Sequence, residues 1–361
     1  MKTEALFCLC FYVRLLCMYW SMSALSTLSH IIRNDLERYK GRVLFLNARY
    51  DSDIYNIPDT EFISQQYFKP YADELQQKGA VVAAKLQIQG AEPSFDAVVC
   101  LMPKNMVEAR YGAAMGLRSL KKGGFFVCAA DNKAGGTRIQ SMMRDFGLSD
   151  IQIESKNKAR CGVGVADVLN EQAMQEALDA GGVRPVLDNR FLSQSGVFGW
   201  NKIDKGSELL TQFIPNTLKG KGADFGCGYG YLSDYVLSHC PKVKHIYAID
   251  ADRRAVDLCA KNLEQYEQGK TTLWRDLTTP QIEAKNLDFI IMNPPFHEGR
   301  DANTDIGVQF IETARSVLRL GGALYMVANS HLPYEKILAQ KFETVRNVHE
   351  GQGFKIFVAE C

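Results

Sequence analysis

No C-x-x-C pair occurs among the ten cysteines, which are scattered from Cys8 to Cys361. Neither a zinc ribbon nor a thioredoxin-type dithiol is therefore encoded, and in a chain of this length free thiols are the default. The six histidines (30, 239, 245, 297, 331 and 349) lack metal-ligand spacing, so no bound metal is expected. An excess of one charge is missing too: 42 Lys and Arg stand against 41 Asp and Glu. Residues 1–180 hold 21 basic and 20 acidic side chains and residues 181–361 hold 21 of each. Neither half is a basic arm, which leaves any phosphate recognition to local patches. The 29 Gly and 11 Pro are too few and too dispersed for a fibrous or low-complexity chain.

No apolar run reaches the ~20 residues of a membrane span. The longest lie at the start, Ala5–Val13 and Leu15–Trp20, with Arg14 between them. A signal peptide would need a better small-x-small cleavage site than Ser21 and Ser23 supply. Everything downstream reads as cytosolic, so translation is expected to begin at Met22, with residues 1–21 an upstream extension. A chain of 361 residues suits two domains.

What the chain does contain is the same half twice. In the first half, strands are expected at Arg42–Ala48, Ala80–Ala84, Phe95–Met102, Phe125–Ala130, Ile151–Glu154 and Gly162–Val168. Helices are expected at Leu28–Tyr39, Ser64–Lys78 (interrupted at Pro70), Val107–Leu120 and Thr137–Phe146. The second half repeats the alternation, from a strand at Ala223–Phe225 and a helix at Tyr231–His239 to strands at Thr344–His349 and Phe354–Glu360. Glu350-Gly-Gln-Gly353 joins that last pair and is short enough only for an antiparallel hairpin. Strands alternating with helices of 10–15 residues mean crossover units and a parallel sheet. Two segments also align between the halves. Phe95-Asp-Ala-Val-Val-Cys-Leu-Met-Pro103 parallels Leu287-Asp-Phe-Ile-Ile-Met-Asn-Pro-Pro295, and Leu120-Lys-Lys-Gly-Gly parallels Leu318-Arg-Leu-Gly-Gly. In the second pair the glycines read as helix stops. The expectation is two tandem doubly wound α/β domains, 22–170 and 190–361, with residues 171–189 as linker and a seven-stranded second sheet.

The chemistry-bearing residues lie in the second half. Asp224-Phe-Gly226-Cys-Gly228-Tyr-Gly230 ends a strand and opens a helix, and its glycines let backbone approach a ligand. The dinucleotide fingerprint would need Gly or Ala at Tyr231 or Ser233, and neither is there. Glycines at alternate positions behind an acid instead match the loop that holds the methionine part of S-adenosylmethionine. Asp250, ending the next strand, is placed to accept both ribose hydroxyls of a nucleoside, and its charge suits a sulfonium ligand. Asp276, after the strand at Thr271–Trp274, is placed to accept from an adenine amino group. Asn293-Pro294-Pro295-Phe296 follows a buried strand, and its prolines force the chain out of the sheet at the edge where α/β ligands bind. The Asn293 side-chain oxygen and the Pro294 carbonyl can each accept one hydrogen of an exocyclic amine, turning its lone pair towards a methyl donor. Phe296 offers a stacking face worth roughly 1–3 kcal/mol to a base.

Together these residues resemble the class I S-adenosylmethionine-dependent methyltransferases of amino groups. Within them, Gly196-Val-Phe-Gly199, Asp204-Lys-Gly-Ser-Glu-Leu-Leu210, the Asp224–Gly230 loop, Asn293–Gly299 and Val327–Tyr334 resemble the family that methylates guanine N2 in small-subunit ribosomal RNA. That resemblance implies a Rossmann-like catalytic second domain and a first domain that has lost catalysis. It also implies a cytoplasmic monomer with no membrane partner, acting on 16S ribosomal RNA in the small subunit or its assembly intermediate. The residues agree about the first half: Leu101 aligns with Asn293, and no Gly-x-Gly-x-Gly follows Val43–Leu46. Lys121, Lys122, Lys133, Arg138, Lys156, Lys158 and Arg160 are its candidate phosphate contacts. The residues alone do not separate guanine N2 from adenine N6 or from a release-factor glutamine amide, nor a turning-over enzyme from a cofactor-binding assembly factor.

Overall fold

The computed structural model describes residues 23–85, 92–279, 282–295 and 304–361. The extension 1–21 and Phe296 lie outside them. The chain divides after Gly182 into two compact units.

The first unit opens with helix α1 (residues 23–34) and runs through β1 (Gly41–Leu46), α2 (Ser52–Tyr55), β2 (Thr60–Gln65), α3 (Lys69–Gln77) and β3 (Val81–Ala83). It continues with β4 (Phe95–Leu101), α4 (Met106–Ser119), β5 (Leu120–Asp131), α5 (Ile139–Asp145), the hairpin β6 (Ser149–Lys156) and β7 (Ala159–Ala166), and α6 (Glu171–Gly181). The sheet order is β3-β2-β1-β4-β5-β7-β6, parallel except where β7 meets β5 and β6. Apolar clusters cover both faces. Leu44, Val98, Phe126 and Phe146 belong to one, and Val43, Phe45, Val99 and Val127 to the other. Alternate residues of the same buried strands thus feed opposite faces, as a two-sided parallel sheet requires.

The second unit begins with a small hairpin, β8 (Arg184–Val186) and β9 (Phe191–Ser193), and helix α7 (Lys205–Thr211). There follow β10 (Lys219–Phe225), α8 (Tyr231–His239), β11 (Lys242–Asp250), α9 (Arg253–Asn262), β12 (Gly269–Trp274) and β13 (Leu287–Met292). The unit ends with α10 (Thr304–Val317), β14 (Leu318–Asn329), α11 (Glu335–Lys341), β15 (Thr344–Gly351) and β16 (Phe354–Glu360). Its order, β12-β11-β10-β13-β14-β16-β15, is the permutation of the first unit. Order reverses at β10, so the carboxyl ends of β10, β11 and β13 open a crevice. Phe225, Phe289 and Phe357 are all but fully buried in this unit, each stabilising it by about 1.5–3 kcal/mol.

Three expectations are corrected. The segment expected as a helix from Ser64 is split, because Thr60–Gln65 pairs with β1 along its whole length. The helix starts only at Lys69, with Pro70 in its first turn, where a missing N–H costs nothing. Residues 171–189 are not a linker: Glu171–Gly181 is a helix capped by Asn170 that buries Met174 and Ala177 in the first unit's core, and 184–193 form the β8–β9 hairpin. The paired glycines after α4 and α10 are not helix caps either. Each helix passes straight into a strand, and Gly123 and Gly321 adopt positive φ within the irregularities of the ladders to β4 and β13.

Candidate active site

β10 delivers Asp224 and the glycine loop into the crevice. Gly226, Gly228 and Gly230 have φ of 79°, 53° and 101°, a region that L side chains enter only with strain. A Cβ on Gly228 would meet nothing within 4 Å, whereas one on Gly230 would strike the Cys259 sulfur at 2.9 Å. Gly228 thus faces open space, and Gly230 lets α8 seat against α9.

Two acids brace this loop. Asp224 is fully buried. Its Oδ2 accepts from the Ser233 N–H at 3.0 Å and the Ser233 hydroxyl at 2.7 Å, while its Oδ1 is buried with no partner. Burial pushes its pKa up to about 7, against the Ser233 hydrogen bonds, which lower it. Asp250 accepts from the Gly228 N–H at 2.9 Å and the Asp252 N–H at 2.8 Å. Burial pushes it up to about 6, partly offset by the Asp252 and Gly228 amides. α8 starts after Gly230, which has no side chain to cap it. Asp224 takes the Ser233 N–H, and the Tyr231 and Leu232 N–H groups, without intrahelical acceptors, are left to meet an anion.

Asn293 leaves β13 on the other side of the crevice. Its Nδ2 donates to Asp204 Oδ1 at 2.7 Å and to Ser207 Oγ at 2.9 Å. A carboxylate only accepts, so the amide nitrogen must face Asp204 and the amide oxygen must face away. Pro294 is buried and Pro295 exposed. Phe198, Asp204, Ser207, Gly226, Gly228 and Asn293 line one cleft, and Phe198 is a large apolar side chain left 62% exposed.

The structure therefore gathers Asp224, Gly226, Gly228, Gly230, Asp250, Asn293 and Pro294 at one sheet edge. Asp276 lies two residues beyond Trp274, which pairs with Asp250. Its Oδ1 already accepts from the Thr278 N–H and hydroxyl at 2.9 and 2.6 Å, as a turn acid does. Asp204 and Ser207, which in the sequence are only two letters of a family-like string, acquire a place here. Asn262 gave no signal in the sequence: it donates to the Tyr229 and Leu192 carbonyls at 2.7 and 2.9 Å and accepts from the Leu192 N–H at 2.8 Å, tying the loop to β9.

The first unit has different groups at the same register. Val43 pairs with Ala97 and Leu46 with Cys100, as Gly222 pairs with Phe289 and Phe225 with Met292. Leu101 therefore occupies Asn293's position, and Arg49, three residues past β1, occupies Gly228's. Arg49 is buried with its guanidinium 3.5 Å from the Tyr71 ring centre. Gln66 stands for Asp250 and donates to the Ala48 carbonyl at 2.7 Å. A side chain fills the place that the second unit keeps bare.

Comparisons with known proteins agree with this geometry. Residues 188–358 match the methyltransferase small domain and residues 29–175 its N-terminal companion. A Shewanella loihica protein named ribosomal RNA small subunit methyltransferase C is 32% identical over 269 residues, 73% of this chain and 77% of that relative. One of the same name from Citrobacter koseri is 28% identical over 352 residues, 93% and 97% of the two chains. The fold is also that of the T. thermophilus 16S rRNA N2 G1207 methyltransferase solved with AdoMet and guanosine, with a TM-score of 0.73, 21% identity, and 89% and 88% of the chains covered. With two methyltransferase-type sheets and one furnished crevice, the chain belongs to the ribosomal RNA small subunit methyltransferase C family.

Proposed function

We propose that the second unit transfers a methyl group from S-adenosylmethionine to the exocyclic N2 of a guanine in 16S ribosomal RNA, the counterpart of the G1207 named for the T. thermophilus relative. The observation that carries this reading is the Asn293 amide, whose nitrogen is engaged twice and whose oxygen is thereby left as an acceptor beside the glycine loop.

The residues fit the cofactor. The open space over Gly228 admits its methionine portion, the Tyr231 and Leu232 N–H groups at the start of α8 suit its carboxylate, and the orphaned Asp224 Oδ1 suits its cationic groups. Asp250 has lone pairs left for ribose hydroxyls, and Asp276 Oδ2 is assigned to the adenine amino group. When bound, S-adenosylmethionine supplies an electrophilic methyl carbon on a sulfonium that departs as a neutral thioether. The chain's own contribution is orientation. Asn293 Oδ1 and the Pro294 carbonyl accept the two N2 hydrogens, which draws the nitrogen lone pair out of conjugation with the ring and aims it. Pro295 turns the chain out of the sheet, and Phe296 is assigned to stacking on the base, which has to be unstacked to enter. Alkylation leaves one surplus proton on N2, which passes to water, so holding the geometry is the main catalytic work. Incubation with labelled cofactor and methylation-deficient small subunits tests the reading: label enters ribosomal RNA. Label entering protein alone would contradict it.

Cofactor binding is expected to depend on pH. The ligand is cationic, so it favours ionised Asp224 and Asp250, whose pKa values in the free protein are raised to about 7 and about 6. Bound protein holds fewer protons than free protein, so affinity rises with pH and levels off above about 7, by up to tenfold for each pH unit between the free and bound pKa. The same raised values make the free fold lose stability as pH climbs from about 4, where an ordinary carboxyl ionises, through about 7. Calorimetry at about pH 6.5, within that window, in two buffers of different ionisation enthalpy reads the proton release directly. An affinity that stays flat across the whole window would refute it.

The first unit is assigned to holding RNA. Lys121 is paired with Asp96 at 2.6 Å, at the amino ends of β5 and β4. Lys133 and Arg138 are exposed beyond β5, and Asn132 N–H donates to the Lys158 carbonyl at 2.9 Å, bringing the β6–β7 turn to that same end. Replacing Lys133 and Arg138 with Glu should weaken binding to ribosomal RNA. It should also flatten the salt dependence by about 0.7–0.9 in log–log slope for each phosphate no longer neutralised. Cofactor affinity should stay unchanged. Filter binding across a salt series would measure both slopes, and equal slopes for wild type and variant would take these two side chains off the RNA.

A further inference from the structure

We propose that Asp204 is a positioning residue for methyl transfer, acting on the substrate amine through Asn293. Asp204 Oδ1 receives the Asn293 amide at 2.7 Å and the Ser207 backbone N–H at 2.9 Å, and Ser207 Oγ receives the other amide hydrogen at 2.9 Å. Both hydrogens of the Asn293 amide are thus spoken for. A half-turn about the terminal side-chain torsion would set its oxygen against a carboxylate oxygen, so one orientation survives. In that orientation the oxygen faces away from Asp204, and Asp204, Ser207 and Asn293 all line one cleft.

The charge has a second consequence. A hydrogen bond to an ionised acceptor is about twice as strong as a neutral one. It draws density from the amide N–H towards its carbonyl, making Asn293 Oδ1 a stronger acceptor for an amine that turns cationic as it is alkylated. Chains of hydrogen bonds polarise one another in this way inside proteins. Asp204 also caps α7, so the orientation of Asn293 is tied to the start of a helix rather than to a free loop. The first unit offers the contrast: Leu101, at Asn293's register, presents no amide to orient.

This inference rests on the reading of Asn293 as the amine acceptor. Three variants separate the two. Asp204→Asn keeps an oxygen for the α7 cap and for Asn293 and loses the charge. It should lower kcat about tenfold while KM for the ribosomal substrate, cofactor affinity and Tm stay close to wild type. Asp204→Ala loses the cap as well, so kcat should fall further and Tm should drop. The readout independent of turnover is the Asn293 side-chain NH2 resonance in the full chain: slow to exchange in wild type, shifted upfield in Asp204→Asn and rapidly exchanging in Asp204→Ala. An Asp204→Asn enzyme with wild-type kcat and an unmoved Asn293 resonance, beside an inactive Asn293→Ala, overturns the role of Asp204 alone. An active Asn293→Ala enzyme overturns the reading of Asn293 itself.

Discussion

Replacing Asn293 with Ala is expected to lower methyl transfer by about a hundred- to a thousandfold, the scale on which removing one preorganised hydrogen-bonding group at a reacting centre is felt. The reason is local. The variant removes the oxygen proposed to accept an amine hydrogen and frees Asp204 and Ser207, which held that amide at 2.7 and 2.9 Å. Neither of the acids that brace the cofactor loop touches Asn293, so S-adenosylmethionine affinity should remain within about twofold. Single-turnover kinetics with calorimetry on the same preparation separates the two quantities. Parallel loss of binding and rate would mean that Asn293 serves the cofactor rather than the substrate.

Asp250→Ala should do the reverse. Its carboxylate orders the loop through the Gly228 and Asp252 amides, at 2.9 and 2.8 Å, and is the acceptor assigned to the ribose. A hydrogen bond to a charged group contributes about 1.5–3 kcal/mol, so losing the ribose contacts and loosening Gly228 should raise the cofactor Kd at least a hundredfold. With cofactor at saturation, kcat should recover most of its value, because the Asn293 side of the crevice is intact. A Kd within threefold of wild type would remove Asp250 from the cofactor site. The two variants together test the crevice by halves, one proposed to hold the methyl donor and one to aim the acceptor.

Much of this was legible in the sequence, for physical reasons that also explain what was not. Buried parallel strands such as Leu287–Met292 are unbroken apolar runs, and Pro294 and Pro295 mark where the run must leave the sheet, so strand and site were read together. The glycine loop announces itself because positive φ at alternate positions has one inexpensive residue. Asp250 stands out from its place at a strand end, and the fold brings it against the Gly228 amide. What escaped were features decided at long range. β2 is a strand because β1 lies beside it, while Thr60–Gln65 alone does not prefer one. Glu171–Gly181 looked like a connection because its reason for being helical, the burial of Met174 and Ala177, lies in the first unit's core. Asp204 is 89 residues from the amide it holds, and Asn262 is 70 from the backbone it ties down. Nothing local distinguishes either from a surface polar residue. Asp276 shows the opposite case, since spacing proposed it for the adenine while the fold engages one of its oxygens in a turn.

The most direct test is to digest 16S ribosomal RNA from methylation-deficient small subunits, after reaction with the enzyme and S-adenosylmethionine, to nucleosides and identify the methylated species by mass spectrometry. The predicted result is one N2-methylguanosine per subunit with the wild-type chain and, in the same time, a yield about a hundred- to a thousandfold lower with Asn293→Ala. N6-methyladenosine, a methylated protein with unmodified RNA, or an equal yield from Asn293→Ala would contradict the account.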